Sequence, residues 1–432
     1  MTPAQIEQLG PAFVDYLEQF QFCCAYTQTF DLLKVYCRGL LSDLPRKSAE
    51  PIALAAGTAV RTLQEFLKDH VWHHRLTRDT LIEHVAATLP QVQGDDLGTI
   101  GIVDETGTVK KGTKTPGVQR QWCGERGKKE NCVVTVHLGV AKGRYKTLID
   151  ADLFLPESWD ADRERCRQAG IPDHVVYRPK WQIACRQLLR ARALGIAPDW
   201  LTFDEYYGSK PGFLRDLDEQ GVAYVGEVPK SFSCFTSPPP EGESGHWAHD
   251  LVRHSPVFFS QPWQTFALAR QTVGEQPWQA KSAPIWLRGD GVVLAEPHWL
   301  IWARNERTAE EKYFIAGGAA QAQASLGVRL RVGFSRWNVE HSLRVSKSEL
   351  GFRHFEGRSY VGLMRHLMLC LVTLTFAAGQ AADLRQRGEK SGGDDGTSLP
   401  RAELGLCAVA GRVAADDTVA IHVGCHWLPP AA

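Results

Sequence analysis

The sequence predicts a mixed α/β fold in which an all-helical N-terminal domain precedes a sheet flanked by helices. The first observation is a helical repeat of apolar residues within residues 1–95, such as Ile52, Ala56 and Val60 after Pro51. The second is that short strand patterns alternate with helical patterns between residues 96 and 228. The third is a Trp-rich segment with further strand patterns, which interrupts this alternation. Together they indicate an α/β core with a β-rich insertion.

The order of elements in residues 96–228 restricts the topology of the sheet. Three strand patterns precede a helix, a strand, a helix and a strand, at residues 99–103, 131–141, 147–155, 181–194, 200–203, 210–220 and 222–228. This is the order of ribonuclease H-like sheets, in which the first and fourth strands lie side by side. We therefore predict a ribonuclease H-like mixed sheet with flanking helices.

Acidic residues follow the apolar runs of the first and fourth strands. Asp104 comes directly after the first run and precedes a turn-like Glu-Thr-Gly sequence, and Asp204 repeats the pattern. A carboxylate at the carboxyl end of a buried strand lies where open α/β sheets hold ligands and metal ions. The alternative for Asp104 is a structural cap on the following turn. If the two strands are neighbours, their carboxylates are neighbours as well.

A third acidic residue lies on a predicted helix that begins near Arg336 and contains no Gly or Pro. Four charged residues share one face of this helix at spacings of four, four and three residues: Arg336, Glu340, Arg344 and Lys347. Apolar side chains beside that face can pack inward: Val339, Leu343 and Leu350. Taken alone, such a stripe is more often a solvated face of salt bridges than a functional one.

Taken together, these segments resemble insertion-sequence transposases of the DDE superfamily. The resemblance is to the branch whose signature helix reads Tyr-x-x-Arg-x-x-x-Glu-x-x-x-x-x-x-Lys. Arg336, Glu340 and Lys347 match this spacing, whereas Gly333 stands at the Tyr position. The segments at residues 103–112, 203–208 and 351–359 resemble the family's first acid, its second acid and the continuation past the helix. The likeness covers residues 30–375, and a β insertion between the second and third acids is also typical of this branch.

The resemblance implies a metal-dependent DNA reaction. Asp104, Asp204 and Glu340 would be the catalytic carboxylates and the ligands of Mg²⁺, with Mn²⁺ as a substitute, since Mg²⁺ prefers oxygen ligands. The enzyme would cut double-stranded DNA at transposon ends and join the 3′ hydroxyls to target DNA, acting as a homodimer. Basic residues would bind the DNA phosphates: Arg336, Arg344, Lys347, Lys110 and Lys111.

Two other classes of function stay open at this stage. A domesticated DNA-binding protein without chemistry would keep the basic residues, and Gly333 is the best support for it. A glycosidase also uses a pair of carboxylates, but it has no need for the basic stripe that accompanies Glu340. The presence of all three acids favours the transposase.

The sequence divides into five predicted segments. These are a helical domain for DNA ends at 1–95, the first part of the core at 96–228, the β-rich insertion at 229–318, the second part of the core with the signature helix at 319–385, and a flexible tail at 386–432. The insertion contains six tryptophans, at positions 247, 263, 278, 286, 299 and 302. Most are expected in its core, and the resemblance suggests that one stacks on a base flipped from the transposon end.

Composition limits the remaining possibilities. Lys and Arg together number 49, as do Asp and Glu, so affinity for nucleic acid requires local patches such as residues 110–146. Lysines on a solvated strand edge are an equally good explanation of that patch. Eleven scattered cysteines indicate a reducing compartment, which we expect to be a bacterial cytoplasm with the protein at the nucleoid.

Neither a membrane function nor a zinc site is favoured by the sequence. The N-terminus lacks a signal-peptide pattern, and the apolar run at 367–379 is too short to span a bilayer, so we predict a buried helix and no membrane association. His422, Cys425 and His426 have no second ligand pair at a matching spacing, which favours packing over zinc binding.

Overall fold

The computed structural model describes residues 9–239, 242–270, 274–289, 292–294, 296–318 and 324–391. Before the first strand, the described part of the chain contains five α-helices: α1 (Leu9–Glu18), α2 (Thr27–Leu41), α3 (Ala49–Ala55), α4 (Val60–Lys68) and α5 (His74–Thr88). The helical pattern predicted after Pro51 is therefore divided between α3 and α4. The division occurs at Gly57, whose φ of 63° is left-handed and favours glycine.

A large mixed sheet follows. Its first six strands are β1 (Ile100–Val109), β2 (Gln119–Cys123), β3 (Lys128–Lys142), β4 (Tyr145–Leu153), β5 (Trp200–Thr202) and β6 (Tyr224–Val228). The helices between them are α6 (Glu157–Asp160), α7 (Arg163–Gln168), α8 (Lys180–Ala193), α9 (Glu205–Gly208) and α10 (Pro211–Glu219). The seven elements predicted in this region are all present, and six of them lie within a few residues of their predicted positions. The first strand, β1, extends six residues beyond its predicted end.

The pairing of β1 sets the geometry of the site. On one side β1 pairs antiparallel with β3, and on the other it pairs parallel with β5, with Ile102 opposite Thr202. The prediction that the first and fourth strands are neighbours is confirmed. The strand β2, by contrast, was not predicted, because its sequence Gln-Arg-Gln-Trp-Cys is mostly polar, as is typical of a strand at a sheet edge.

The segment predicted as an insertion extends the same sheet. Its strands are β7 (Ser233–Cys234), β8 (His246–Trp247), β9 (Gln264–Arg270), β10 (Gly274–Ile285), β11 (Arg288–Gly289), β12 (Val292–Val293), β13 (His298–Asn305) and β14 (Glu311–Gly317). It also contains α11 (Ala248–His254) and α12 (Pro256–Phe259). Because β14 pairs with β6, and β13, β10 and β9 follow outward, ten strands form one sheet within the described residues.

The tryptophans of this segment differ in exposure. Trp278 and Trp302 are buried, as expected for a Trp-rich core, and Trp286 and Trp299 are partly buried. Trp247 and Trp263 are exposed, and the Trp263 ring packs against Trp302 at a centroid distance of 4.8 Å. The expectation of a mostly buried set therefore holds for four of these six residues.

Three helices complete the described chain: α13 (Leu326–Phe334), α14 (Trp337–Ser348) and α15 (Tyr360–Ser391). By length and composition α15 could cross a membrane, but 94% of its most apolar window is buried within the protein. It packs against β4 and against α2, α4 and α5, so the N-terminal helices share a hydrophobic core with it. The buried helix predicted at 367–379 is confirmed.

The C-terminal tail predicted at 386–432 is described only to residue 391, where it continues α15. The remainder lies outside the described residues, and so do His422, Cys425 and His426.

Candidate active site

Asp104 and Asp204 lie at the point where β5 ends beside β1. The last paired residues are Ile102 and Thr202, and each aspartate lies two residues further along its own chain. Contrary to the prediction, β1 does not end at Asp104, because residues 105–109 continue to pair with β3. The turn that was expected after Asp104 is therefore part of the strand β1. Only the pairing with the parallel strand β5 ends at this point. This leaves an opening in the sheet at the two carboxylates.

Each aspartate is held by backbone amides. Asp104 Oδ1 accepts a hydrogen bond from the amide of Glu105 at 2.7 Å. Asp204 is the N-cap of α9, and its Oδ1 accepts from the amides of Tyr206 at 3.0 Å and Tyr207 at 3.3 Å. The capping role considered for Asp104 thus belongs to Asp204, which leaves its second carboxylate oxygen for other contacts.

The two carboxylates share a poorly solvated, negatively charged environment. Burial and the nearby charge of Asp204 raise the pKa of Asp104 to about 7, against the opposing effect of Arg336. Burial and the charge of Glu105 raise the pKa of Asp204 to about 6. A bound cation would relieve this repulsion, and the oxygen donors suit a hard ion such as Mg²⁺.

Glu340 is linked to the two aspartates by the side chain of Arg336, which pairs with Glu340 and lies near Asp104. As predicted, the helix α14 begins just after Arg336, and Val339 and Leu343 pack inward. The Arg336 guanidinium lies 2.8 Å from Glu340, 3.9 Å from Asp104 and 3.9 Å from Glu227. Burial alone would lower its pKa, but these carboxylates raise the pKa of Arg336 above its ordinary value. The guanidinium therefore connects the third acid to the first.

The donor chemistry of the three acids fits a divalent ion, but Glu340 does not face the aspartates directly. Its side chain is 48% exposed and pairs with Arg336. Within the described ranges, no group of three or more Asp, Glu, His or Cys side chains stands in a metal-ligating arrangement. Two of the predicted ligands are neighbours, and the third is connected to them through a cation.

Further charged residues surround the site, and the sequence reasoning missed them. Glu105 pairs with Lys180, and Glu227 pairs with Lys312. The second carboxylate oxygen of Glu105 is buried without a hydrogen-bond partner in the described structure. Glu227 could have been found, because it lies near the end of β6, the next parallel strand, as Asp104 and Asp204 do beside their own strand pairing.

The predicted phosphate-binding residues occupy different positions. Burial lowers the pKa of Lys347, while the charges of Glu125 and Asp104 oppose this shift. Arg344 and Lys111 are exposed. Lys110 instead donates to the backbone carbonyls of Phe355 at 2.6 Å and Arg353 at 3.3 Å. It therefore supports the loop after α14.

Gly333, which replaces the Tyr of the signature, lies on α13 and not on the helix that carries Glu340. A Cβ atom at this position would lie 2.9 Å from the Phe314 ring of β14 and 3.3 Å from Val225 of β6. The space that a larger side chain would occupy is filled by the sheet. This departure from the signature thus has a packing cause, independent of whether the acids are functional.

Comparison with known proteins identifies the family of the chain. A family model described as DDE superfamily endonuclease matches residues 19–285, more than half of the chain, and includes Asp104 and Asp204. The protein belongs to this family. It is 27% identical over 352 residues to a probable transposase for insertion sequence element IS701 from Microchaete diplosiphon, covering 81% of this chain and 82% of the relative.

A solved structure was also found to be similar. It is a cryo-EM structure of a piggyBac transposase synaptic complex with hairpin DNA, which has 11% sequence identity and a TM-score of 0.43. The alignment covers 92% of this chain and 75% of that one.

Proposed function

We propose that this protein is a DDE-type transposase with a ribonuclease H-like core, which cuts DNA at the ends of an insertion sequence and joins the 3′ hydroxyls to target DNA. The observation that carries the proposal is the parallel pairing of β1 with β5, which brings Asp104 beside Asp204. The connection of Glu340 to Asp104 through Arg336 supports it. So does the similarity to a probable insertion-sequence transposase over 81% of the chain.

In the proposed mechanism, Asp104, Asp204 and Glu340 would hold Mg²⁺ or Mn²⁺. Such ions, when bound, would activate the attacking oxygen and neutralise the leaving oxygen at phosphorus. Lys347 and Arg344 bind the phosphates on either side, as cations do directly and carboxylates cannot. Arg336 leaves its carboxylate partners for a phosphate oxygen when DNA enters, which lets Glu340 turn toward the two aspartates.

The proposed partners are double-stranded transposon ends and target DNA, bound by a homodimer that brings two ends together. We propose that it acts at the nucleoid in a bacterial cytoplasm. The nine cysteines among the described residues carry free thiols, as a reducing compartment would allow.

A catalytically inactive DNA-binding protein is the second candidate, and the contact between Glu340 and Arg336 favours it. The two are separated by incubating the protein with Mg²⁺ and DNA that carries the inverted repeats flanking its gene. Cleaved strands identify the enzyme, whereas a mobility shift without cleavage identifies the binder.

Metal dependence is the first prediction from this function. Cleavage of the repeat-bearing DNA is expected with Mg²⁺ or Mn²⁺ and poorly with Ca²⁺, whose larger and looser coordination does not hold the attacking and leaving oxygens in line. The measurement is cleavage on a denaturing gel across a metal series. Robust cleavage in the presence of a chelator would contradict the mechanism.

A second prediction separates the charges of α14. Lys347→Ala is expected to weaken binding about equally for all DNA sequences and to flatten the slope of log affinity against log salt by about 0.9, the value for one phosphate contact. The matched variant Glu340→Gln should not weaken binding, because it removes a negative charge near the DNA. Salt titrations by fluorescence anisotropy provide the test, and an unchanged slope for Lys347→Ala would mean that Lys347 contacts no phosphate.

A further inference from the structure

A short hairpin projects from the edge of the sheet close to the acids. It consists of β2 and the first residues of β3, joined by a turn at Gly124–Arg126. Gly127 closes the turn with a left-handed φ of 60°. In the described part of the sheet, β2 is the terminal strand and pairs only with β3. The side chains of Arg120, Trp122 and Lys129 are exposed, so the face of the hairpin that carries them is open to solvent.

The hairpin presents an aromatic side chain to solvent. Trp122 is 58% exposed, and no hydrogen bond, ion pair or ring contact of its indole is found among the described residues. It lies opposite Lys129 across the hairpin, and Arg120 is two residues away on the same face. A large ring between two cations offers a stacking surface and charge together.

The charge around this ring is positive. Three cations lower the pKa of Glu130: Lys128, by a hydrogen bond and by its charge, and Arg120 and Arg126, by their charges. The other carboxylate of the hairpin, Glu125, is already paired with Arg353 at 2.5 Å. The remaining field therefore favours a polyanion.

The hairpin is also fixed relative to the candidate active site. Cys123 Sγ contacts the carbonyl of Gly107 at 3.8 Å. Gly107 is three residues beyond Asp104 on β1, which corresponds to ~10 Å along a strand. The pairing of Glu125 with Arg353 ties the turn to the loop that follows α14. A stacked nucleic-acid strand advances ~3.4 Å per nucleotide, so the hairpin lies only a few nucleotides from the acids.

We propose that this hairpin binds an unpaired stretch of DNA, with the Trp122 indole stacked on a nucleobase and with Arg120 and Lys129 at the flanking phosphates. Aromatic stacking within a basic groove is how proteins hold single strands without reading sequence. A duplex keeps its bases stacked internally and would use only the charges. That the bound strand belongs to a transposon end depends on the function proposed above; the stacking itself does not.

The test compares a fluorescein-labelled oligothymidylate with a duplex of mixed sequence, by anisotropy, using the full chain without added metal. Trp122→Ala is expected to weaken binding of the oligothymidylate about fivefold to a hundredfold and to leave duplex binding nearly unchanged. Trp122→Phe should recover most of the affinity. Lys129→Ala should weaken both ligands and flatten the single-strand salt slope by about 0.7. Phe259→Ala, which removes a ring that is 68% exposed elsewhere, is the matched control and should change neither.

Equal oligothymidylate affinity for wild type and Trp122→Ala would overturn the proposal, as would absence of wild-type binding. Unchanged affinity together with a loss of dimer by sedimentation would assign the hairpin to a subunit interface instead. The proposed function is tested separately by cleavage. If the wild-type protein cleaves DNA and Trp122→Ala binds oligothymidylate normally, only the stacking proposal is refuted. If the wild-type protein does not cleave DNA and Trp122→Ala loses affinity for oligothymidylate, only the transposase proposal is refuted.

Discussion

Replacing Asp104, Asp204 or Glu340 with alanine is expected to reduce strand cleavage about a thousandfold or more while leaving DNA binding largely intact. Each change removes carboxylate oxygens that hold the divalent ion, whose stabilisation of the transition state amounts to several kcal/mol. None removes a phosphate-binding cation. The measurement is cleavage of repeat-bearing DNA with Mg²⁺, paired with anisotropy of the same DNA.

Glu205→Ala is the matched control for this series. Glu205 directly follows Asp204 and carries the same charge, but its side chain is exposed and has no assigned role. Its variant should cleave within a few-fold of wild type. Near-normal cleavage by any one of the three alanine variants would remove that residue from the triad. Loss of binding in all three would indicate a folding defect and not a chemical one.

Arg365→Leu is expected to cause the largest loss of stability, lowering the free energy of unfolding by about 3–5 kcal/mol. The buried guanidinium on α15 donates to four backbone carbonyls in the last turn of α4 and in the segment that follows it: Phe66 at 3.3 Å, Leu67 at 3.1 Å, His70 at 2.8 Å and Trp72 at 2.5 Å. It also lies over the Trp72 ring at 4.6 Å. A leucine would remove all of these donors at once. Phe66 would still accept from the Trp72 indole and His70 from the Trp72 amide, but the carbonyls of Leu67 and Trp72 would lose the guanidinium with no replacement.

Urea unfolding followed by circular dichroism measures this effect. Arg365→Lys should fall between wild type and leucine, because an ammonium keeps the charge but cannot reach all four carbonyls in one plane. Arg167→Leu is the control: its partner Glu164 is 63% exposed, and its loss should leave the midpoint essentially unchanged. An equal midpoint for Arg365→Leu would mean that water satisfies the carbonyls.

The core of the sheet was predictable because its signals are local. Apolar runs marked β1, β5 and β6, and the order of the elements predicted that Asp104 lies beside Asp204, which the pairing of β1 with β5 confirms. The spacing of charges on α14 likewise predicted that Arg336 and Glu340 share a helix face, and the two side chains pair in the structure. The role of Glu340 as the third acid was an expectation from the family resemblance and stays a prediction.

Contacts between distant segments could not be predicted in this way. Lys180 lies 75 residues from Glu105, and the sequence around either residue does not indicate that the two side chains pair. The same holds for Lys110, which donates to carbonyls more than two hundred residues away. The extension of the sheet depends on the pairing of β14 with β6, and the spacing of apolar residues along the sequence does not show which strands pair.

The attachment of α14 at its far end has a mechanical consequence. The buried Lys47, between α2 and α3, donates to the carbonyl of Leu40 at 2.9 Å and to that of Glu349, the C-cap of α14. These hydrogen bonds attach the C-terminal end of the helix that carries Glu340 to the N-terminal bundle, so we expect this helix to move little relative to that bundle. Adjustment at the acids must then come from rotation of the long Glu340 side chain, or else the whole bundle must shift with the helix.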